Sequence, residues 1–526
     1  MKIALRSTAG CFAYDTDSAG DTLTKLLGFQ ETAHRKTAEG RLDHSSRALA
    51  VISMESTEEN PPPAAETHSE NESSGYARRL TLFDGVMVVT GGIIGAGIFQ
   101  TPAVVARKVD TPMLIMLAWA IGGGIALIGA LCFAELGARR PEAGGGYVYL
   151  REAFGPLFGF LYGWKLVFIS STGAIAALGI VFANYTIDVV GLANVWTTRM
   201  GIAVAAILFL SAINYLGIEL GSLTQNIFTV LKLGALSGLA GTGLWLGAGE
   251  LTTAETAAQS VWATNGVWGI IAAMGAALTP VLFSHGGWQH VNHIAAEVKK
   301  PNRNLPLSLL IGVGIVVGMY LLANYAYLYA LGVDGLAGND APATAAMEVL
   351  IGNAGGKLIG IGVMISVFGI LNLIIMAAPR VTQAMAEDDL LFKPFARLHP
   401  EYRTPQWALL FQAAWSILLL LSGTFSQLLN YVVFGDWILF ALIVGTLFVY
   451  RRRNADRDQE PGTYRMVGHP VLPVIFIGAS LFVVASTVYS TIQSNPENAV
   501  FGAGLILLGV PVYFAFRARQ ETGSSS

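Results

Sequence analysis

Two apolar stretches about 190 residues apart are each interrupted by glycine: Gly91-Gly92-Ile93-Ile94-Gly95-Ala96-Gly97-Ile98-Phe99 and Phe283-Ser284-His285-Gly286-Gly287-Trp288. Glycine in the middle of a membrane helix frees backbone N–H and C=O groups that hydrocarbon cannot satisfy, so such breaks persist where they line a protected cavity. The N-terminus of a half-helix offers N–H groups to an anion, while unwound carbonyls accept bonds from a cation. A zwitterion such as an amino acid satisfies both. Close helix packing, as of Gly91 on Gly95, is the alternative for the glycines of the first stretch, but packing does not require the second break.

The elements that must hold these breaks are membrane helices. Of 526 residues, 53% are hydrophobic, only 13% are charged and 60 are glycine. A window of about 19 residues finds about twelve apolar segments long enough to span a bilayer. They are placed at 82–106, 113–138, 154–190, 198–217, 221–247, 266–297, 307–332, 355–386, 406–424, 427–450, 470–490 and 497–516. Alternate loops carry the cations: Arg78 and Arg79; Arg139, Arg140 and Arg151; Lys299, Lys300 and Arg303; Lys393, Arg397 and Arg403; Arg451 to Arg453 with Arg457 and Arg465; Arg517 and Arg519. By the positive-inside rule these loops and both termini are cytoplasmic, in a multi-pass protein of the cell membrane. A net charge of −3 gives no reason to expect nucleic acid as a partner. Cys11 and Cys132 are too few for a disulfide framework and offer no hint of a disulfide-linked partner.

Residues 1–77 are polar, rich in Ser, Thr and Glu, and carry Pro61-Pro62-Pro63, which reads as a disordered tail. Met54 opens a typical solvated leader, so translation from Met54 is one reading and a regulatory tail the other. The chain then divides into a transport core at 78–451, two further helices within 452–516, and a short tail at 517–526. Spans one to five and six to ten each begin with a glycine-broken helix. An odd number of spans per half makes this an inverted repeat.

These residues carry a resemblance. Gly92 to Phe99, Phe133-Ala134-Glu135-Leu136-Gly137 and Pro141-Glu142-Ala143-Gly144-Gly145-Gly146-Tyr147 resemble the amino acid, polyamine and organocation (APC) transporter superfamily. Phe283 to Glu297, followed by Pro301-Asn302-Arg303-Asn304-Leu305-Pro306, is similar to its L-type amino acid transporter branch and the bacterial relatives of that branch. The resemblance covers residues 78–516. It implies an all-α LeuT-like fold with a 5+5 inverted repeat and broken helices 1 and 6. It places the substrate carboxylate on the N–H groups of Gly95, Ala96 and Gly97, a sign of charge that suits a helix N-terminus. The amine falls to the carbonyls of Ile93 and Ile94 and to those near Phe283 and Ser284. Phe283 matches the family's gating aromatic, and Lys232 a fifth-span lysine of sodium-independent members.

Intramembrane charges are costly and therefore informative. Lys232 is a fixed cation tying the fifth span to the first-span carbonyls, a proton carrier, or a side chain snorkelling to an interface. His285 and Gly286 lie in the second break, where His285 is read as meeting a polar substrate side chain or bonding neighbouring backbone. The family places an aromatic there more often. Asn372 is either a gate contact or a helix-to-helix hydrogen bond. Lys165 and Asp436 are given no substrate role, and Glu135 is expected to anchor the end of the second span. His285, His290 and His293 lack a carboxylate or thiolate to complete a metal site, so neither metal nor cofactor is expected. No P-loop or nucleophile elbow is present. The expectation is a secondary transporter of neutral L-amino acids, by sodium-independent exchange or proton symport, without an obligatory protein partner. Organic cations or polyamines are the alternative cargo.

Overall fold

The computed structural model describes residues 75–246, 254–423, 425–453, 464–494 and 504–523. Met54 and nearly all of the expected tail lie outside the described residues. Among the described residues eight helices are long and apolar enough to cross a membrane, and nine if the bent first pair counts as one span. The breaks, the site and the seal described below all sit within this all-helical body.

The first span is two helices, α1 (Leu82–Ile93) and α2 (Gly97–Ala106), bent by 41°. Thr81 starts α1 through a reciprocal capping box with Asp84, an arrangement whose cap is worth about 1 kcal/mol. Ile94 then turns extended, with ψ of 97°, and the helical ladder stops. Next come α3 (Pro112–Arg139), begun by the Thr111 cap and a proline at its first position, and α4 (Gly146–Phe154). The third span, α5 (Pro156–Val190), was expected from residue 154. Gly155, at φ of 103°, separates it from α4, so the span starts two residues later than expected. Within α5 the stretch Leu166–Ser170 is π-helical.

After α6 (Trp196–Tyr215) and α7 (Ile218–Leu246) comes α8 (Ala254–Ser284). The sixth span was expected to continue to residue 297, but regular helix ends at Ser284. Beyond Gly287, at φ of 118°, only α9 (His290–His293) and a 3₁₀ turn, Ala295–Glu297, follow. The remaining elements are α10 (Pro301–Ala337), α11 (Pro342–Ile351), α12 (Asn353–Glu387), α13 (Gln406–Ser422), α14 (Phe425–Arg453), α15 (Val471–Ser494) and α16 (Gly509–Gly523). α10 lies along α3, α1 and α7, while α12 lies along α7 and α5, so the broken first span is enclosed by intact helices.

The cation-rich end is sealed by buried and part-buried ion pairs. Glu135 accepts bonds from Arg139 Nε at 2.9 Å, Arg451 Nη2 at 2.5 Å and the Met466 amide at 2.9 Å, and so anchors the end of α3. Arg380 on α12 donates to Glu297 from Nε at 3.0 Å and Nη2 at 3.2 Å, with both side chains at most 2% exposed. Asp388 receives Tyr147 and Arg151. Removing one member of a buried pair strands the other charge, at a cost of roughly 3–5 kcal/mol, whereas replacing both by apolar groups is often neutral. Arg380→Met should therefore lower the unfolding midpoint in detergent sharply, and the double replacement Arg380→Met with Glu297→Leu should restore most of it. Equal midpoints for the two proteins would refute this account of the seal.

Candidate substrate cavity

The two breaks touch, backbone against backbone. A Cβ on Gly287 would lie 2.2 Å from the Gly92 carbonyl oxygen, and one on Gly92 would lie 2.8 Å from the Gly287 oxygen. One residue type fits this crossing. A little further along, a Cβ on Gly97 would meet Ser284 Oγ at 2.8 Å. Ser284 Oγ is itself tied to Thr101 Oγ1 at 2.8 Å and to the Pro280 carbonyl at 3.0 Å, fixing α8 against α2.

Between the breaks lies a cavity of ≈ 350 Å³, a size ordinary for small-molecule sites. Of the expected site residues, Ile93, Gly95, Ala96, Gly97, Phe283, Ser284 and Gly286 line it. The opposite walls come from α5, α12 and α14, with Ala177, Ile370 and Trp437 among them. Phe283 is 58% exposed and projects into the open space. The start of α2 has N–H groups without intrahelical partners, as every helix start does, and Gly95, Ala96 and Gly97 line the cavity there.

Two residues expected to bind substrate do not line this space. Ile94 lies behind it, where its carbonyl already receives Lys232 Nζ and Ser366 Oγ, each at 3.0 Å. Both lone pairs of that oxygen are thereby used. His285 also departs from the expected pocket position. Its ring turns toward α3 and α10, with Nδ1 2.9 Å from the Val281 carbonyl oxygen and ring centroids 5.5 Å from Trp119 and 5.0 Å from Tyr320. The α-helix runs through residue 284, so the next side chain follows helical direction into the bundle rather than into the break.

Lys232 is fully buried, 2.8 Å from the Gly91 carbonyl and 3.3 Å from that of Ser366 in addition to Ile94. It caps the C-terminal, electronegative end of α1, the position at which a helix favours a cation. Asn372 lies off the cavity as well. It donates to the Gly221 carbonyl at 3.0 Å and accepts from Asn214 at 2.9 Å, joining α12 to α7 and α6. These are helix-to-helix hydrogen bonds.

Sequence reading missed Tyr320. Its hydroxyl stands 2.9 Å from the Ile93 carbonyl and 3.2 Å from that of Ser284, one residue on each break. A tyrosine in an apolar span carries no periodic signature, and only the hydroxyl hints at a buried partner. Tyr320→Phe removes the single O–H donor that the two carbonyls share, a bond of about 1–1.5 kcal/mol. Uptake should fall about tenfold while the unfolding midpoint moves little; unchanged uptake would show that the bridge is dispensable.

The profile of the amino acid permease family matches residues 80–515. The chain belongs to the amino acid permease family. This permease is 32% identical over 459 residues to the serine/threonine exchanger SteT of Bacillus subtilis (strain 168), covering 86% of this chain and 99% of that protein. It is 28% identical over 455 residues to the b(0,+)-type amino acid transporter 1 of Mus musculus, covering 86% and 90%. It is 29% identical over 447 residues to the human cystine/glutamate transporter, covering 84% and 85%. A permease of this family is a multi-pass membrane protein and not an enzyme.

Proposed function

We propose that this permease is a secondary active transporter moving neutral L-amino acids by alternating access, through sodium-independent exchange or proton symport. The observation that carries the reading is the crossing of the two breaks at Gly92 and Gly287 around a single cavity. In this pose the substrate carboxylate sits on the amides of Gly95, Ala96 and Gly97. The amine takes the free lone pairs of the Ile93, Phe283 and Ser284 carbonyls, with Ile94 replaced by Lys232 and Ser366 as the occupants of its oxygen. Phe283 closes over the bound molecule. Lys232 acts as a fixed cation holding the end of α1, which favours exchange.

The same reading takes the chain as twelve spans at 82–516, ten of them in a 5+5 inverted repeat, preceded by the tail at 1–77. The cation-rich end is the cytoplasmic one. The buried pairs there, against an exposed Phe283, then describe a conformer open to the outside. The relatives' names support amino acids as cargo.

The test is uptake of labelled amino acids into proteoliposomes of the full chain, comparing empty vesicles, vesicles preloaded with unlabelled amino acid, and an imposed pH gradient without sodium. Uptake that needs preloading establishes exchange, and accumulation driven by the gradient alone establishes proton symport. Absence of uptake for every amino acid under all three conditions would overturn the assignment.

A further inference from the structure

The cavity between the breaks does not end at its apolar walls. It continues into a second chamber of ≈ 360 Å³, and Phe283, Gln289, His290, Ile374 and Asp436 border both spaces. One wall of that chamber is an ion pair between Lys165 of α5 and Asp436 of α14. Sequence reading gave these two residues no substrate role.

The local backbone is built around this pair. Lys165 stands immediately before the π-helical turn Leu166–Ser170, and single turns of that kind recur at functional sites. The turn brings Ser170 Oγ within 2.8 Å of the lysine Nζ. The lysine stem passes α14 at Gly435, where a Cβ would stand 2.6 Å from Lys165 Cε. A larger residue there would push the stem away from Asp436. The lysine side chain is 1% exposed but that of Asp436 is 40% exposed, so the pair shows its anionic edge to the chamber while the cation lies just behind. Across the space, the buried His290 Nδ1 has no hydrogen-bond partner among the described residues.

A substrate whose carboxylate and amine are engaged at the breaks must send its side chain toward the remaining walls. Apart from Gln289 and His290, those walls are apolar until they reach the pair. A charged side chain arriving there would compete for one partner and strand the other in a partly buried place, which is strongly unfavourable. An uncharged group with a donor and an acceptor side by side meets the pair without splitting it. A carboxamide has that form, since its NH₂ can donate to Asp436 while its oxygen turns to the Lys165 side of the pair.

We infer that the Lys165–Asp436 pair is the side-chain recognition element of this permease and selects neutral amino acids ending in a carboxamide, glutamine and asparagine, over acidic and basic ones. This inference rests on the transport reading above for the position of the substrate's backbone groups. It is tested by the inhibition of labelled alanine uptake by glutamine, glutamate, lysine and leucine, with ligand-induced shifts of the unfolding midpoint in detergent as a readout that needs no transport. In the wild type, glutamine should inhibit at least tenfold better than glutamate or lysine. Asp436→Asn leaves the cation alone, so the ratio should move toward glutamate; Lys165→Met should move it toward lysine. The double replacement Lys165→Met with Asp436→Leu removes both charges and should favour leucine. Identical selectivity ratios in all four proteins would overturn the inference, even where overall uptake falls. Loss of alanine uptake in the wild type would instead count against the transport reading, and the midpoint shifts would then decide the side-chain inference by themselves.

Discussion

Gly287→Ala should abolish uptake, because the added methyl has no space and the backbone it sits on has no allowance for it. The Cβ would stand 2.2 Å from the Gly92 oxygen and 3.1 Å from the Ile93 amide nitrogen, and both of these are backbone atoms that cannot rotate aside. The φ of 118° is a conformation reserved for glycine. Strain at such a position costs of order 1–3 kcal/mol on its own, and the clash adds to it, which places the substitution in the rare class above about 4 kcal/mol. The breaks would be forced apart and the cavity wall with them. Gly92→Ala should behave likewise, against Leu373 Cδ2 at 2.7 Å as well as the Gly287 oxygen. Gly318→Ala is the control: nothing lies within 4 Å of its Cβ position and φ is ordinary, so a helical alanine there should be neutral or stabilising. Uptake by Gly287→Ala within twofold of wild type would show that the crossing is not needed for transport.

Why the breaks were legible and their supports were not follows from what each residue type can do alone. Glycine clusters inside apolar runs have few explanations, so the positions of both interruptions and the cavity they line were readable from spacing. Lys232 was readable because an ammonium at mid-span must find partners. The direction in which His285 points was not, because it depends on whether the helix ends one residue earlier or later. The same applies to the sixth span, whose apolar run continues past Gly287 although its helix does not. Tyr320 and the Lys165–Asp436 pair lie far apart in sequence from what they touch. No local period announces such a meeting, and a lone lysine and a lone aspartate on different spans each look like an interfacial residue until the fold brings them together.

Lys232→Met is expected to have the second largest effect, lowering uptake by at least tenfold with the protein still assembled. Methionine has nearly the same reach and can occupy the buried channel, but it donates nothing. The Gly91 and Ile94 carbonyls each lose a charged donor worth roughly 1.5–3 kcal/mol. Ser366 Oγ stays on Ile94, so that oxygen keeps one bond while Gly91 loses this one. The end of α1 would lose its hold on α7 and with it the geometry of the first break. Lys232→Arg should not rescue, because the site is narrow: a Cβ on Gly369 would already be 3.1 Å from the lysine Nζ, and a planar guanidinium is wider than an ammonium. Ser366→Ala, which removes one neutral bond of about 1 kcal/mol, should cost only a few-fold. If uptake by Lys232→Met matched that of Ser366→Ala, the cation would have no special part in holding α1.

Leu80 and Val298 form an isolated parallel β-bridge. The amides of Arg79 and Leu80 both donate to the Glu297 carbonyl at 2.9 Å, and the Lys299 amide returns a bond to the Leu80 carbonyl at 2.8 Å. The chain leading into α1 is thus stitched to the chain leaving the sixth span by three main-chain bonds that no side-chain substitution removes. Mechanically the two legs form one lever. Were the sealed end to open as the proposed alternating access requires, the two legs would swing together, and the Glu297 carboxylate, carried on that lever, would be drawn off Arg380 in the same stroke. A fluorophore attached just ahead of Arg78 would ride on this moving part and report the opening of the seal from outside the membrane.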